Sequence, residues 1–349
     1  MLPVPVETEN GYHREGPVVT VLGVDKNLDI SAAQPSPYMV KSQKVWRLAK
    51  GALKAGLLVL AVGTYPALMW SAHDINDAPL EAVSSETWAS PSMGVAITLV
   101  AREVEGPGWT ADKPSVAPAR RLTAQPAWQD GLTNALADYI QLAAGTVTRS
   151  SEIDADLAAA SRLLRSKSDT EMTPRLIAAA EALARFNGRV HAGITNDLDA
   201  DQDLAQSLRL FAGWAKHSST DLGERVGHKA GWPASRSDVH AFYTARARAH
   251  VASGMLQAAV HAHPELMQRA SMRAQLRETQ DMWTRVARQD PLLVSNQDGD
   301  GAVLPNHLAA MAWHLEQAEA ASIQLADMVS SSQPSLTVAD TDVVLTSSP

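Results

Sequence analysis

From Ala55 to Ala72 the chain reads AGLLVLAVGTYPALMWSA, eighteen residues without a charged side chain. That is the minimum length that spans a hydrocarbon core of ~30 Å at ~1.5 Å per residue. The flanks give the run a direction. Residues 40–54 carry Lys41, Lys44, Arg47, Lys50 and Lys54 and no acid, whereas residues 73–101 carry Asp74, Asp77, Glu81 and Glu86 and no Lys or Arg. Basic residues flank membrane helices on the cytoplasmic side, so the N-terminus is expected in the cytoplasm and the C-terminal bulk in the periplasm of a bacterial-type inner membrane. More than fifty residues precede the run, and Trp70 occupies the −3 position relative to the small-residue site at Ala72. Both features argue for an uncleaved single-pass anchor over a cleaved signal peptide. The alternative is a buried helix of a soluble core. Ala52, Gly56, Gly63 and Ala67 share one face with two small-xxx-small spacings, a pattern that lets two helix backbones approach and a homo-oligomer form.

Charge and cysteine content exclude several function classes. With 30 Lys and Arg against 38 Asp and Glu, the 349-residue chain carries a formal charge of −8. An acidic chain does not suit a nucleic-acid surface, which needs a basic face to neutralise phosphates. Cysteine is absent, which removes disulfides, thiolate zinc sites and a cysteine nucleophile. Nine Trp stand against three Phe, and indoles favour core edges and lipid–water boundaries because each carries one donor on a large apolar ring.

Four segments follow. Residues 1–44 read as a flexible cytoplasmic tail, 45–72 as a basic flank and transmembrane helix, 73–330 as a helical periplasmic domain, and 331–349 as a disordered C-terminal tail. Within 73–330 Ala, Leu, Glu, Gln and Arg dominate at helical spacing, so the fold class is all-α, a multi-helix bundle-like domain behind one N-terminal transmembrane helix. Helices are expected at about 93–104, 126–144, 151–165, 173–194, 201–217, 237–261, 264–288 and 305–329. Thr173-Pro174 is the clearest start signal, an N-cap followed by proline at the first helical position. Ser151 is expected to cap the third helix. Ile177, Ala180, Leu183 and Phe186 are expected to face inward on the fourth, and residues 223–237 to form a connection. Leu308, Met311, Leu315, Ala318, Ser322 and Leu325 alternate by three and four, the spacing of a packed seam.

Candidate chemistry is sparse. The string Asn296-Gln297-Asp298-Gly299-Asp300-Gly301 matches the first half of a calcium loop, with Asp298 and Asp300 as metal candidates. The position that should supply a bidentate Glu is His307, and Pro305 intrudes, so a polar turn that caps the last helix explains the same residues. The eleven His show no H-E-x-x-H pattern, and the nucleophile-elbow, P-loop and dinucleotide motifs are absent. No catalytic set stands out and no cofactor is implied.

Several strings form an ordered series. They are Gly108-Trp109, Pro118, Leu122, Pro126-Ala127-Trp128-Gln129-Asp130-Gly131, Asp221-Leu222-Gly223, Phe242-Tyr243, Pro291-Leu292-x-Val294-x-Asn296 and Asn306-His307-Leu308. The series resembles the landmarks of an uncharacterised proteobacterial family, domain of unknown function 2333, over about residues 50–330. Thr123 and Ala124 stand where that family has an acid–amide pair, which weakens an enzymatic reading of this chain. The resemblance implies a membrane-anchored envelope protein and supplies no activity.

Two function classes remain. The first is a non-enzymatic envelope scaffold whose partners are the inner membrane and other envelope proteins. The second is a periplasmic enzyme or small-ligand-binding domain whose site is assembled from distant residues. Trp109, Trp128, Tyr243, Asn296, Asn306 and His307 are the expected lining of such a site, against core packing as the competing role. A deep pocket with convergent polar groups favours the second class, and a flat apolar patch the first.

Overall fold

The computed structural model describes residues 45, 46, 48–57, 59, 75–80, 88–106, 108–146, 153–165, 171–195, 200–226, 234–291, 293–297 and 305–332. The chain divides into two compact units, Met1–Ala61 and Val62–Pro349. In the first, the described residues from 45 to 59 form helix α1, on which Ala52 and Gly56 are exposed. Nothing lies within 4 Å of a Cβ built on Gly56. Among the described residues no helix is long and apolar enough to cross a membrane. Of the run 55–72, only residues 55–57 and 59 are described, so the predicted anchor, with Gly63 and Ala67, lies mostly outside them.

The second unit is all-α among the described residues. Its helices are α2 (Pro91–Glu105), α3 (Ala124–Thr146), α4 (Ala155–Leu164), α5 (Met172–His191), α6 (Ala200–Val226), α7 (Arg236–Ala262), α8 (Ala270–Ala287) and α9 (His307–Ser332). Single 3-10 turns at Thr110–Asp112, Pro118–Arg121 and Pro264–Met267 join them. Helix α7 is central and packs against α2, α3, α6 and α8. It is accordingly buried around much of its girth, from Phe242 and Tyr243 through Val251 and Ala252 to Leu256. Helix α9 packs on α6 and on α8, and all six residues of the predicted α9 seam are buried. On α3 the residues Trp128, Leu132, Leu136, Tyr139 and Ile140 form a stripe that is likewise buried.

Helix existence follows the sequence pattern, but several boundaries are set by distant groups. Asp154, not Ser151, caps α4, and accepts from the backbone N–H of Asp156 at 3.1 Å and of Leu157 at 3.0 Å. Helix α5 starts at Met172 rather than after Thr173. Its first N–H groups are received by Asp112, with Met172 N at 3.0 Å and Thr173 N at 2.7 Å. Leu183 and Phe186 are buried as expected, but nearer the start Met172, Leu176 and Ala179 face inward, while Ile177 is exposed and Ala180 half-buried. The helix ends before the predicted Ile194. Gly193 takes φ +67, and the N–H groups of Gly193 and Ile194 close onto Val190 O and Arg189 O in a Schellman arrangement. Helix α6 runs two turns past the predicted end through Gly223, because Leu222 is fully buried and Arg225 pairs with Asp221 at 3.0 Å.

Candidate functional site

A cavity of about 460 Å³ lies between α7, α8 and the segment that precedes α2. Helix α7 contributes His250, Ser253 and Gly254 on one face, since residues three and four apart stand above one another on a helix. Helix α8 contributes Leu276, Gln280 and Thr284 at the same spacing. Pro79 and Leu80 cover one side, and Val260 and Met267 close the apolar end.

The polar groups of the two helices are joined across the cavity. The Gln280 amide nitrogen donates to Ser253 O at 3.1 Å and to Ser253 Oγ at 3.0 Å, and Ser253 Oγ lies 3.1 Å from Thr284 Oγ1. A backbone carbonyl can only accept, so the amide orientation is fixed and Oε1 is the atom left over. That oxygen is buried without a hydrogen-bond partner, and so is Nε2 of His250. Both residues line the cavity, and a buried donor or acceptor left unpaired costs ~1–3 kcal/mol.

Behind His250 stands a second polar layer. Trp128 packs against the imidazole with ring centroids 5.3 Å apart and donates its indole N–H to Glu103 at 3.0 Å. Gln129 donates to the other Glu103 oxygen at 2.9 Å, donates to Gly108 O at 3.0 Å, and accepts from Thr110 N at 2.9 Å. Burial raises the Glu103 carboxyl above its ordinary range, against the lowering effect of the Gln129 and Trp128 hydrogen bonds. Burial pushes His250 down to about 4, helped by the charges of Arg102 and Arg246, so the imidazole is neutral at pH 7. A general base is most effective with its pKa near the working pH, and His250 is far from that condition. No hydrogen bond joins it to Ser253. The arrangement therefore suits binding better than nucleophilic catalysis.

Arg246 holds the segment before α2 in place. Its guanidinium is 1% exposed and donates to Ala287 O at 3.0 Å, to Asp290 at 2.8 Å and to Asp77. It lies 5.6 Å from the Trp128 ring centroid and 5.7 Å from that of Tyr243. Burial pushes the Tyr243 phenol up to about 12. Arg102 adds contacts from its guanidinium to Ala78 O at 2.6 Å and Pro79 O at 3.3 Å.

The six expected lining residues do not form the cavity wall. Trp109 and Trp128 are buried, Trp128 in the Glu103 network, and Tyr243 shares Arg246 with Trp128. Asn296, Asn306 and His307 do meet, at the connection from α8 to α9. Asn306 Nδ2 donates to Asn296 Oδ1 at 3.3 Å, Ser295 N donates to His307 Nδ1 at 3.1 Å, and Asn296 Nδ2 donates to Arg225 O at 3.0 Å. Asn306 Oδ1 accepts from Ala309 N at 3.0 Å and so caps α9, as the polar-turn reading expects. Asp298 and Asp300 lie outside the described residues. Among the described residues no three His, Asp or Glu cluster as metal ligands. Sequence reasoning missed His250, Ser253 and Gln280. The available signal was polar side chains beside small ones on the inner faces of two helices whose other inner residues are apolar.

Comparison with known proteins finds no matching family model, no matching curated protein and no matching solved structure. The likeness to domain of unknown function 2333 therefore rests on its short landmarks alone.

Proposed function

We propose that the chain is a membrane-tethered binding module whose helical body holds a small organic ligand between α7 and α8. The observation that carries this reading is the cavity itself, whose lining brings His250, Ser253, Gln280 and Thr284 together with the aliphatic Leu80, Val260 and Leu276. A volume of about 460 Å³ is in the range of ligand pockets, which run from ~300 to ~1,000 Å³. Tethering is supported by the uncharged run 55–72 and its asymmetric flanks, which put the tail in the cytoplasm and the body in the periplasm. The organisation is the one implied by the family resemblance.

Native mass spectrometry of the full chain in lipid nanodiscs tests the binding reading. A small-mass adduct on the wild type that is absent from Thr284→Phe, in which the new ring fills the cavity, is the expected result. Identical spectra for a folded Thr284→Phe and the wild type would reject it.

The scaffold reading has one specific observation in its favour. Trp313 on α9 is 54% exposed, and exposed indoles are common anchors at protein interfaces. Crosslinking in intact membranes that depends on Trp313 and not on Thr284 would prefer that reading.

A further inference from the structure

A ligand in the cavity is gripped by α7, by α8 and by a segment that is not a helix. We propose, on the basis of the binding reading above, that residues 75–80 are a strap over the cavity, latched by Asp77 and plugged by Leu80. Seating of the strap retains the ligand, and lifting releases it. Three observations carry this.

The first is a seat shaped for the strap. Asp77, Pro79 and Leu80 line the cavity beside Ser253 and Gly254. Leu80 is 7% exposed, and a Cβ on Gly254 would stand 2.8 Å from its Cδ1 and 3.1 Å from Val95 Cγ1. Glycine inside a helix is unfavourable relative to alanine. Its place well inside α7 therefore has a packing reason, a notch that only a residue without a side chain leaves open for Leu80. The second is the way the strap is fastened. Residues 75–80 form neither helix nor strand, and side chains of the body hold them. Arg246 donates to Asp77, while Arg102 donates to Ala78 O at 2.6 Å and to Pro79 O at 3.3 Å. A segment held in this way can leave as a unit without opening a helix. The third is the asymmetry of the latch. Arg246 is buried and keeps Ala287 O and Asp290 when Asp77 departs, whereas the Asp77 side chain is 37% exposed and returns to water readily. Release therefore leaves no buried charge unpaired, the condition for a seated and a lifted state of similar stability. A ligand that packs against Pro79 and Leu80 binds the seated state more tightly, so occupancy and seating favour each other.

The absence of cysteine makes the strap readable. Leu80→Cys in the full chain, held in lipid nanodiscs, places one thiol where it is buried while the strap is seated and open to a maleimide when it lifts. Adding Asp77→Ala is expected to speed labelling about tenfold, the scale of one hydrogen bond to a charged group. Asp290→Ala removes a partner of the same arginine without unlatching the strap, and is expected to leave the rate unchanged. Ala252→Cys, buried in α7, is expected to label equally slowly with and without Asp77→Ala, which separates lifting from unfolding. Native mass spectrometry then joins strap to ligand. The small-mass adduct is expected on the wild type and on Asp290→Ala, and is expected to be lost from Asp77→Ala. Labelling of Leu80→Cys that Asp77→Ala leaves unchanged would overturn the strap, and so would a rise at Ala252→Cys of the same size. An adduct that Asp77→Ala retains would overturn the retaining role and leave the cavity reading standing. An adduct absent from the wild type would overturn the binding reading and the strap's role with it.

Discussion

The indole N–H of Trp128 donates to Glu103 at 3.0 Å, so a carboxyl that is 2% exposed is held between α2 and α3. Its pKa is raised by burial, which means that the native state binds more protons than the unfolded chain between the ordinary carboxyl value and the raised one. The Glu103 contribution therefore falls as pH rises through that window. Glu103→Gln, which carries no charge, is expected to be relatively more stable than the wild type at pH 8 than at pH 4. Urea midpoints across that range check it, and an unchanged difference between the two proteins would refute it.

His250 acts in the opposite direction. Its folded pKa of about 4 lies below the ordinary 6.5, so its contribution is intact above pH 6.5 and is lost as pH falls toward 4. The shift corresponds to about 3 kcal/mol at full effect. His250→Phe keeps a ring against Trp128 and cannot take a proton. It is expected to remove most of the acid-side loss, read from the urea midpoint at pH 5 relative to pH 7. A variant that loses as much stability as the wild type over that interval would show that the buried imidazole is not responsible.

Helices α3 and α7 approach closely at Gly131. A Cβ there would lie 2.8 Å from Thr244 O and 2.9 Å from Thr244 Cα, both backbone atoms that cannot move alone. Gly131→Ala gains ~1 kcal/mol of helix propensity, but overpacking of this kind costs ~1–3 kcal/mol. A net loss of stability by thermal melting is the expected outcome. Gly223→Ala, on α6 with nothing within 4 Å of its Cβ, should show the gain instead.

The connection before α9 is expected to be structural. Asn306 caps the helix through Ala309 N at 3.0 Å and also donates to Gln297 O at 3.0 Å. Asn306→Ala should cost ~0.5–2 kcal/mol. Calcium and a chelator should leave the melting temperature of the wild type unchanged. A rise with calcium that Asp300→Ala abolishes would make this connection a metal site, because a ligand selective for the native state must stabilise it.

Topology is open to a direct test because the chain has no cysteine. Ser36→Cys and Ser168→Cys, each alone, report their side of the membrane with an impermeant thiol reagent in intact spheroplasts. Labelling is expected at position 168 and not at 36, and the reverse pattern would overturn the orientation.

The sequence made the helices legible wherever one apolar stripe was long enough to need a partner. The seam from Leu308 to Leu325 is buried as read. It was less informative where a boundary depends on a group far along the chain. Thr173-Pro174 is a sound local start signal, yet Asp112 receives the first N–H groups of α5, and the helix starts two residues earlier, at Met172. The cavity was hidden for a related reason. His250 and Gln280 lie on separate helices, and a vacant volume between two packed helices leaves no periodicity in either one. The Trp and Tyr landmarks attracted attention because they are large, but size favours burial in a core at least as strongly as it favours a ligand.

The two ways of closing a helix start have a kinetic consequence. Helix α7 is capped by its own neighbours, Ser235 and Asp238, in a reciprocal capping box, so its first turn needs nothing beyond the segment that forms it. The first turn of α5 needs Asp112, sixty residues upstream. Bringing those ends together carries a loop-closure entropy that must be met before the contact contributes anything. During folding α7 can therefore propagate from its own start, whereas the first turn of α5 settles only once α2, α3 and the turn at Thr110–Asp112 have been gathered around it. In hydrogen exchange that turn of α5 should be the last of the two helix starts to gain protection.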